Sequence, residues 1–150
     1  MDTLVRFLVL SNNTKQKLIC ELAEKFYLAG KKTVILVKNS EQGNEFDNLL
    51  WIWKQASFIP HLYNQQLSYK ILEPVVLTTH VENNPGFEIL LLAHPAPLDT
   101  ILKFEQVIDF AEKYDSTLLN SSRDRFKIYR DKKLKVETWQ PGDFLVTDIK

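Results

Sequence analysis

Two nearly unbroken apolar runs, Thr3–Leu10 (TLVRFLVL) and Thr33–Val37 (TVILV), constrain this chain more than any other feature. Successive strand side chains point to opposite faces, so a strand with one wet face alternates polar and apolar residues. These runs offer water little beyond Arg6. Strands that are apolar on both faces belong to parallel sheets covered by helices on both sides. The residues between and after the runs supply those helices. Leu18, Ile19, Leu22, Ala23 and Phe26 recur at helical spacing, with Asn13 and Gln16 as a capping pair and Gly30 as a stop. Ser40 opens a second helix in which Phe46, Leu49, Leu50 and Trp53 fall at i, i+3, i+4 and i+7. The alternation strand, helix, strand, helix predicts an α/β fold, with a mostly parallel central sheet flanked by helices in three layers and right-handed crossovers.

The second half is less regular. Val75–His80 and Phe87–Ala93 read as strands separated by the turn Asn84-Pro85-Gly86, and His94–Pro97 as a loop. Gln106–Phe110 is a further strand, and a last helix capped by Asp115 or Ser116 runs to about Arg130. Leu134–Trp139 alternates apolar and polar residues as an edge strand does, and Pro141-Gly142 ends it. With 150 residues and no repeat or linker, one domain spanning 1–150 is expected.

Lys and Arg total 19, and so do Asp and Glu. Binding to nucleic acid rests on neutralising many phosphates, so strong direct binding through overall charge is not expected. A lone Cys20 allows no internal disulfide or multi-thiolate zinc site, which suggests a reducing cytoplasm, and no apolar stretch approaches a membrane span. The first turn, Ser11-Asn12-Asn13-Thr14-Lys15, has no glycine, and the four glycines of the chain lie far apart. A Rossmann-like sheet without the glycine loop that brings backbone close to phosphate has no evident nucleotide or other cofactor site. His80-Val81-Glu82 lacks the cysteine pair of zinc deaminases, and His61 and His94 lack a third ligand, so no metal is expected. There is no serine elbow, and Cys20, beside the core stripe of the first helix, reads as inert. No catalytic residue stands out.

Three surface features remain. Trp51 points away from the apolar stripe of its helix, where either a partner or a neighbouring loop would cover it. On the last helix Leu118, Ser122, Phe126 and Tyr129 form a stripe with Leu119 at its margin, and Arg123, Lys127 and Arg130 follow that margin. From Arg123 to Lys135 seven basic residues face two acids, a local charge of +5. This is either a solvated face whose cations suit the helix C-terminus, or an anion site beside an apolar slot, fit for an acidic peptide with a terminal aromatic. Phe58-Ile59-Pro60-His61 reads as an edge or rim, serving core closure or a second docking patch.

Three segments resemble the chi subunit of bacterial DNA polymerase III holoenzyme: Lys17–Ala23 leading through Gly30-Lys31-Lys32-Thr33-Val34; Phe46–Trp51 followed by Ser57-Phe58-Ile59-Pro60-His61; and Val107–Phe110 followed by Arg123–Arg130. The portion 62–98 matches poorly. The resemblance implies a non-enzymatic adaptor of the DNA-directed DNA polymerase holoenzyme. Such an adaptor links the clamp loader, through its psi subunit, to the acidic C-terminal tail of single-stranded DNA-binding protein. Residue by residue it implies a tail site at Trp51, Arg123 and Phe126, with Lys127 and Arg130 beside it, and a psi-facing surface at Phe58, Ile59, Pro60 and His61. Leu119 stands where some members have a lysine, a loss that Lys127 would offset, and Phe126 where most have tyrosine. A small α/β enzyme or nucleotide binder with an unrecognised site is the alternative.

Overall fold

The computed structural model describes residues 2–53, 59–63, 73–81 and 86–141. Their elements in chain order are β1 (Leu4–Leu10), α1 (Lys15–Leu28), β2 (Thr33–Leu36), α2 (Ser40–Trp51), β3 (His61–Tyr63), β4 (Val75–Thr78), β5 (Ile89–Leu92), α3 (Leu98–Ile101), β6 (Gln106–Glu112), α4 (Ser116–Asp131) and β7 (Lys135–Trp139). The described strands form one sheet in the order β3-β4-β2-β5-β6-β1-β7. Every pairing is parallel.

Both faces of the sheet are buried, as the apolar runs require. Leu8 and Leu10 of β1, Ile35 of β2 and Phe110 of β6 pack under α1 and α2, whose Ile19, Leu22, Phe26, Phe46 and Leu50 complete that core. Their strand neighbours Val5, Phe7, Val34, Leu36 and Val107 point the other way and meet Ile101 of α3 and Tyr129 of α4. The α/β three-layer architecture expected from the sequence is therefore present.

Local chemistry sets the ends. After α1, Lys31 N–H bonds to the Phe26 carbonyl and Gly30 N–H to that of Tyr27, with Gly30 at φ +76°. This left-handed closure is why the helix stops at a glycine. Asn39 caps α2 by accepting from Gln42 N–H at 2.9 Å, and Asp115 caps α4 by accepting from Leu118 N–H at 3.0 Å. The Asn13–Gln16 cap is not formed. Thr14 occupies the cap position of α1 without a side-chain bond, and the Asn13 carboxamide instead accepts from the Tyr114 hydroxyl at 3.2 Å.

Strand β4 ends two residues short of His80 because the Thr78 hydroxyl bonds to the backbone of His80, bending the chain. Strand β6 runs two residues past Phe110, since Ala111 and Glu112 find partners in Val9 and Leu10. The single turn α3 has no sequence signature, because four residues are too few to show a helical period. Of the turn Asn84-Pro85-Gly86 only Gly86 is described, at φ +89°.

Candidate functional site

In a parallel sheet the loops at the carboxyl ends of the strands form the usual ligand crevice. Here that end holds a hollow of about 660 Å³ between the turns after β1, β2, β5 and β6, lined among others by Lys15, Lys38, His94, Glu112, Tyr114 and Arg125. Its charges are largely paired with one another. The Lys15 ammonium lies 3.2 Å from Glu112, which also accepts a very short hydrogen bond from the Tyr114 hydroxyl, and Arg125 is paired with Asp109. His94 is held below its ordinary pKa by burial and then by Lys15, Lys38 and Arg125. Cys20 lies in the core, where burial pushes its thiol up to about 12 and leaves almost no thiolate near neutrality.

Helix α4 forms one wall of this crevice through Leu118, Ser121 and Arg125. Beneath the helix, Asp109 of β6 is 2 % exposed. It accepts from Arg125 Nε at 2.9 Å and Nη2 at 3.1 Å, from the Tyr129 hydroxyl at 3.0 Å and from Phe110 N–H at 2.7 Å. Burial works against the charge of Arg125, yet the hydrogen bonds and charge of Asp109 more than offset it and hold that pKa above its ordinary value. Burial and the Asp109 carboxylate together push the Tyr129 hydroxyl up. This forked pair fixes how α4 is turned about its axis on the sheet. A carboxylate inside the apolar run Val107–Phe110 is the sequence sign of such a partner, although Arg125 had appeared only as one cation among seven.

With the helix so turned, its other flank borders a second, smaller hollow of about 240 Å³. Phe7 and Val9 of β1, Ala111 of β6 and Thr138 of β7 form its floor, and Leu119, Ser122, Arg123 and Phe126 its helical wall. The Phe126 and Phe7 rings lie 5.6 Å apart, and the Arg130 guanidinium lies 5.8 Å from the Phe126 ring centre. Arg123 is exposed at the rim and has no acidic partner among the described residues. Lys127 is exposed on the same helix, one turn beyond, and is not part of the lining. The cation that does line the hollow besides Arg123 is Lys113, just past β6. The sequence reading missed it because its nearness to Arg123 depends on the stacking of α4 over β6, not on helical spacing. Lys113 thus supplies a second charge at the same hollow.

Trp51 does not belong to this site. It is 54 % exposed, as expected from its place off the helical stripe, but α2 covers the sheet face opposite α4 and packs on β3 and β4. From β3 to β6 is four strand steps, roughly 19 Å at the spacing of a sheet, with the sheet itself between. The expected hollow framed by an indole on one helix and a phenyl ring on its neighbour is therefore absent. The helical wheel gave the outward direction of Trp51 correctly, but it carries no information on which sheet face a helix covers.

Trp51 instead joins the other predicted segment. Its ring centre lies 4.6 Å from that of His61, whose Nδ1–H donates to the Ile59 carbonyl at 2.7 Å and whose Nε2 lies 3.2 Å from the Asp47 carboxylate. Ile59 and His61 are buried and close the core under α2, so neither can itself serve as an exposed contact in this chain. Pro60 is half-buried, and Phe58 lies outside the described residues. The exposed apolar surface here is that of Trp51 and Ile52, the latter 77 % exposed.

Residues 2–137 match the sequence model of the family described as DNA polymerase III chi subunit, HolC. The chain is 25 % identical over 143 residues to DNA polymerase III subunit chi of Escherichia coli, covering 89 % of this chain and 97 % of that protein. It is 28 % identical over 144 residues to DNA polymerase III subunit chi of Haemophilus influenzae, covering 93 % and 94 %. Among solved structures, that of T4 UvsW superposes with a TM-score of 0.65 at 13 % identity, over 93 % of this chain and 42 % of the other, a likeness of fold alone.

Proposed function

The chain belongs to the DNA polymerase III chi-subunit family, and on that premise we propose that it is a non-catalytic adaptor of the bacterial replication machinery, acting in the cytoplasm. The hollow beside α4 receives the C-terminal tail of single-stranded DNA-binding protein. The surface around Trp51, Ile52 and Pro60 meets the psi subunit of the clamp loader. Among the described residues no helix is long and apolar enough to cross a membrane.

One observation carries the tail reading: an apolar hollow whose rim holds an arginine with no acidic partner among the described residues. A terminal apolar side chain fits against Phe7, Val9, Ala111 and Phe126, and a terminal carboxylate matches the planar fork of Arg123, with Lys113 adding charge. Replacing Arg123 by alanine should weaken binding of a tail peptide by ~1.5–3 kcal/mol, the range for a hydrogen bond to a charged group. Calorimetric titration of the peptide into both proteins tests this, and equal affinities would remove the site.

The crevice at the carboxyl end of the sheet favours a second reading, a nucleotide or small-metabolite site. Thermal-shift measurements against nucleotides and metal ions separate the two, because a ligand that binds only the folded state raises the midpoint.

A further inference from the structure

We propose that Lys113 is the second anchor of the acidic peptide and sets its course; this rests on the tail-binding reading above. The last side chain fills the hollow and the terminal carboxylate takes Arg123. The preceding residues leave past Lys113, over the carboxyl ends of β6 and β1, and an acidic side chain among them pairs with its ammonium group. Lys113 lies one residue past the end of β6, yet its N–H still bonds to the Leu10 carbonyl at 2.9 Å, so the ladder with β1 holds its backbone in line. Strand alternation then sets its side chain on the face of Ala111, under α4, where it lines the hollow. Neither Lys113 nor Arg123 has an acidic partner among the described residues. The acids beside Lys113 in the chain are engaged elsewhere, Glu112 with Lys15 and Asp115 as the cap of α4.

The direction follows from the way the hollow is closed. Phe7 packs on Phe126 at 5.6 Å and on the buried Tyr129 at 5.7 Å between ring centres, so aromatic rings fill the end toward the start of β1. Helix α4 leaves the carboxyl end of β6 and returns the chain to the start of β7, so it runs antiparallel to the strands. From Phe126 toward the carboxyl end of the sheet, the helix therefore presents Arg123 and then Leu119. Over the same path the floor presents Val9 with its partner Ala111 and then Lys113. A peptide whose last side chain meets the Phe7 and Phe126 rings, and whose carboxylate meets Arg123, arrives from that open end. Lys127 lies beyond Arg123 in the opposite direction and does not line the hollow.

Spacing defines the occupant. Arg123 precedes Phe126 by three residues, about 4.5 Å of helix. Phe7 pairs with Asp109, and Lys113 lies four residues further on, about 13 Å of strand. With Phe126 over Phe7, the two cations stand about 9 Å apart along the sheet, the span of two to three residues of extended chain. An acid at the third or fourth residue, counted from the end, therefore reaches Lys113 while the terminal carboxylate stays on Arg123, one cation for each charge. The occupant this selects is an extended peptide with an apolar last residue, a free carboxylate and an acidic residue two or three places before it.

The test uses the whole chain and N-acetylated six-residue peptides that end in phenylalanine with a free carboxylate. A single aspartate is moved through the other positions on an otherwise uncharged background. With the aspartate third or fourth from the end, binding at low salt should be tighter by roughly threefold than for the aspartate-free peptide, the size of one exposed ion pair. That gain should vanish in Lys113→Met, whose unfolding midpoint checks that this exposed substitution leaves the fold intact. It should persist in Lys132→Met, which removes a cation at the far end of α4. Amidating the last residue should abolish the effect of Arg123→Ala and leave that of Lys113→Met. A gain that is absent at both positions, survives in Lys113→Met, or disappears instead in Lys127→Met would overturn the course past Lys113 and leave the hollow standing. An aspartate-free peptide that binds the parent chain and Arg123→Ala equally, or failure of every peptide to bind, would remove the tail site itself.

Discussion

The bond network under α4 makes the strongest quantitative demand on this structure. In Asp109→Asn the side chain keeps its shape, but one carboxylate oxygen becomes an amide that can only donate. Whichever oxygen is replaced, that amide would face an N–H of the Arg125 fork, and at Oδ2 the Tyr129 hydroxyl as well, all of them donors at 2.9–3.1 Å. Removing one partner of a buried ion pair typically costs about 3–5 kcal/mol. The Arg125 side chain is 14 % exposed and retains Ser121 Oγ at 2.7 Å and the Phe110 carbonyl at 3.2 Å, so the lower end applies, about 3 kcal/mol. For a domain of this size that corresponds to a fall in Tm of about 6–12 °C. Urea unfolding read by circular dichroism gives the loss as a shift in midpoint at unchanged slope. Tyr129→Phe removes one bond to the same carboxylate and should cost about 1.5 kcal/mol by itself. Because both changes act on one carboxylate, the double variant should lose less than the sum, with a coupling of at least ~0.5 kcal/mol. A loss below ~0.5 kcal/mol for Asp109→Asn, or strict additivity with Tyr129→Phe, would refute the view that this network holds the helix.

Two further outcomes follow from the packing and the charges. Glycine to alanine inside a helix ordinarily stabilises by up to ~1 kcal/mol, but a Cβ on Gly43 of α2 would stand 2.5 Å from the Tyr63 ring, so Gly43→Ala should lower stability by ~1 kcal/mol or more; a raised melting temperature would contradict this contact. Burial pushes the Glu137 carboxyl up, but the Trp139 indole N–H at 2.8 Å and the Arg6 guanidinium at 3.2 Å outweigh it and hold it below its ordinary 4.5. A carboxyl lowered by folding contributes stability that is fully present above its ordinary pKa and lost as the pH falls through its folded value. Stability measured from about pH 6 down to about pH 3 should therefore fall less steeply in Glu137→Gln than in the parent chain, and parallel profiles would count against the pairing.

The layers of the fold were legible because burial on two faces leaves a compositional trace, seen in Thr3–Leu10 and Thr33–Val37. The edge placement of Leu134–Trp139 was legible for the complementary reason, since a strand with one partner alternates. On α4 the wheel brought Arg123 and Phe126 together correctly, because both lie on one element and their relation is local. At the candidate site, what failed or was missed lies between elements. Trp51 was joined to Arg123 although the crossovers carry α2 and α4 to opposite faces, and Lys113 went unnoticed although strand order alone brings it to the hollow. Both outcomes depend on handedness and strand order, which leave no periodic signal in the chain.

The position of β1 bears on how the chain assembles. Strand β1 lies between β6 and β7, so its partners begin at Gln106 and Lys135. At ordinary translation speeds of about 5–20 residues per second, roughly 5–20 seconds pass before either partner emerges from the ribosome. Until then both edges of β1 stay open in the nascent chain, and closure awaits residues 106–139. Such delayed, long-distance pairing makes for slow folding.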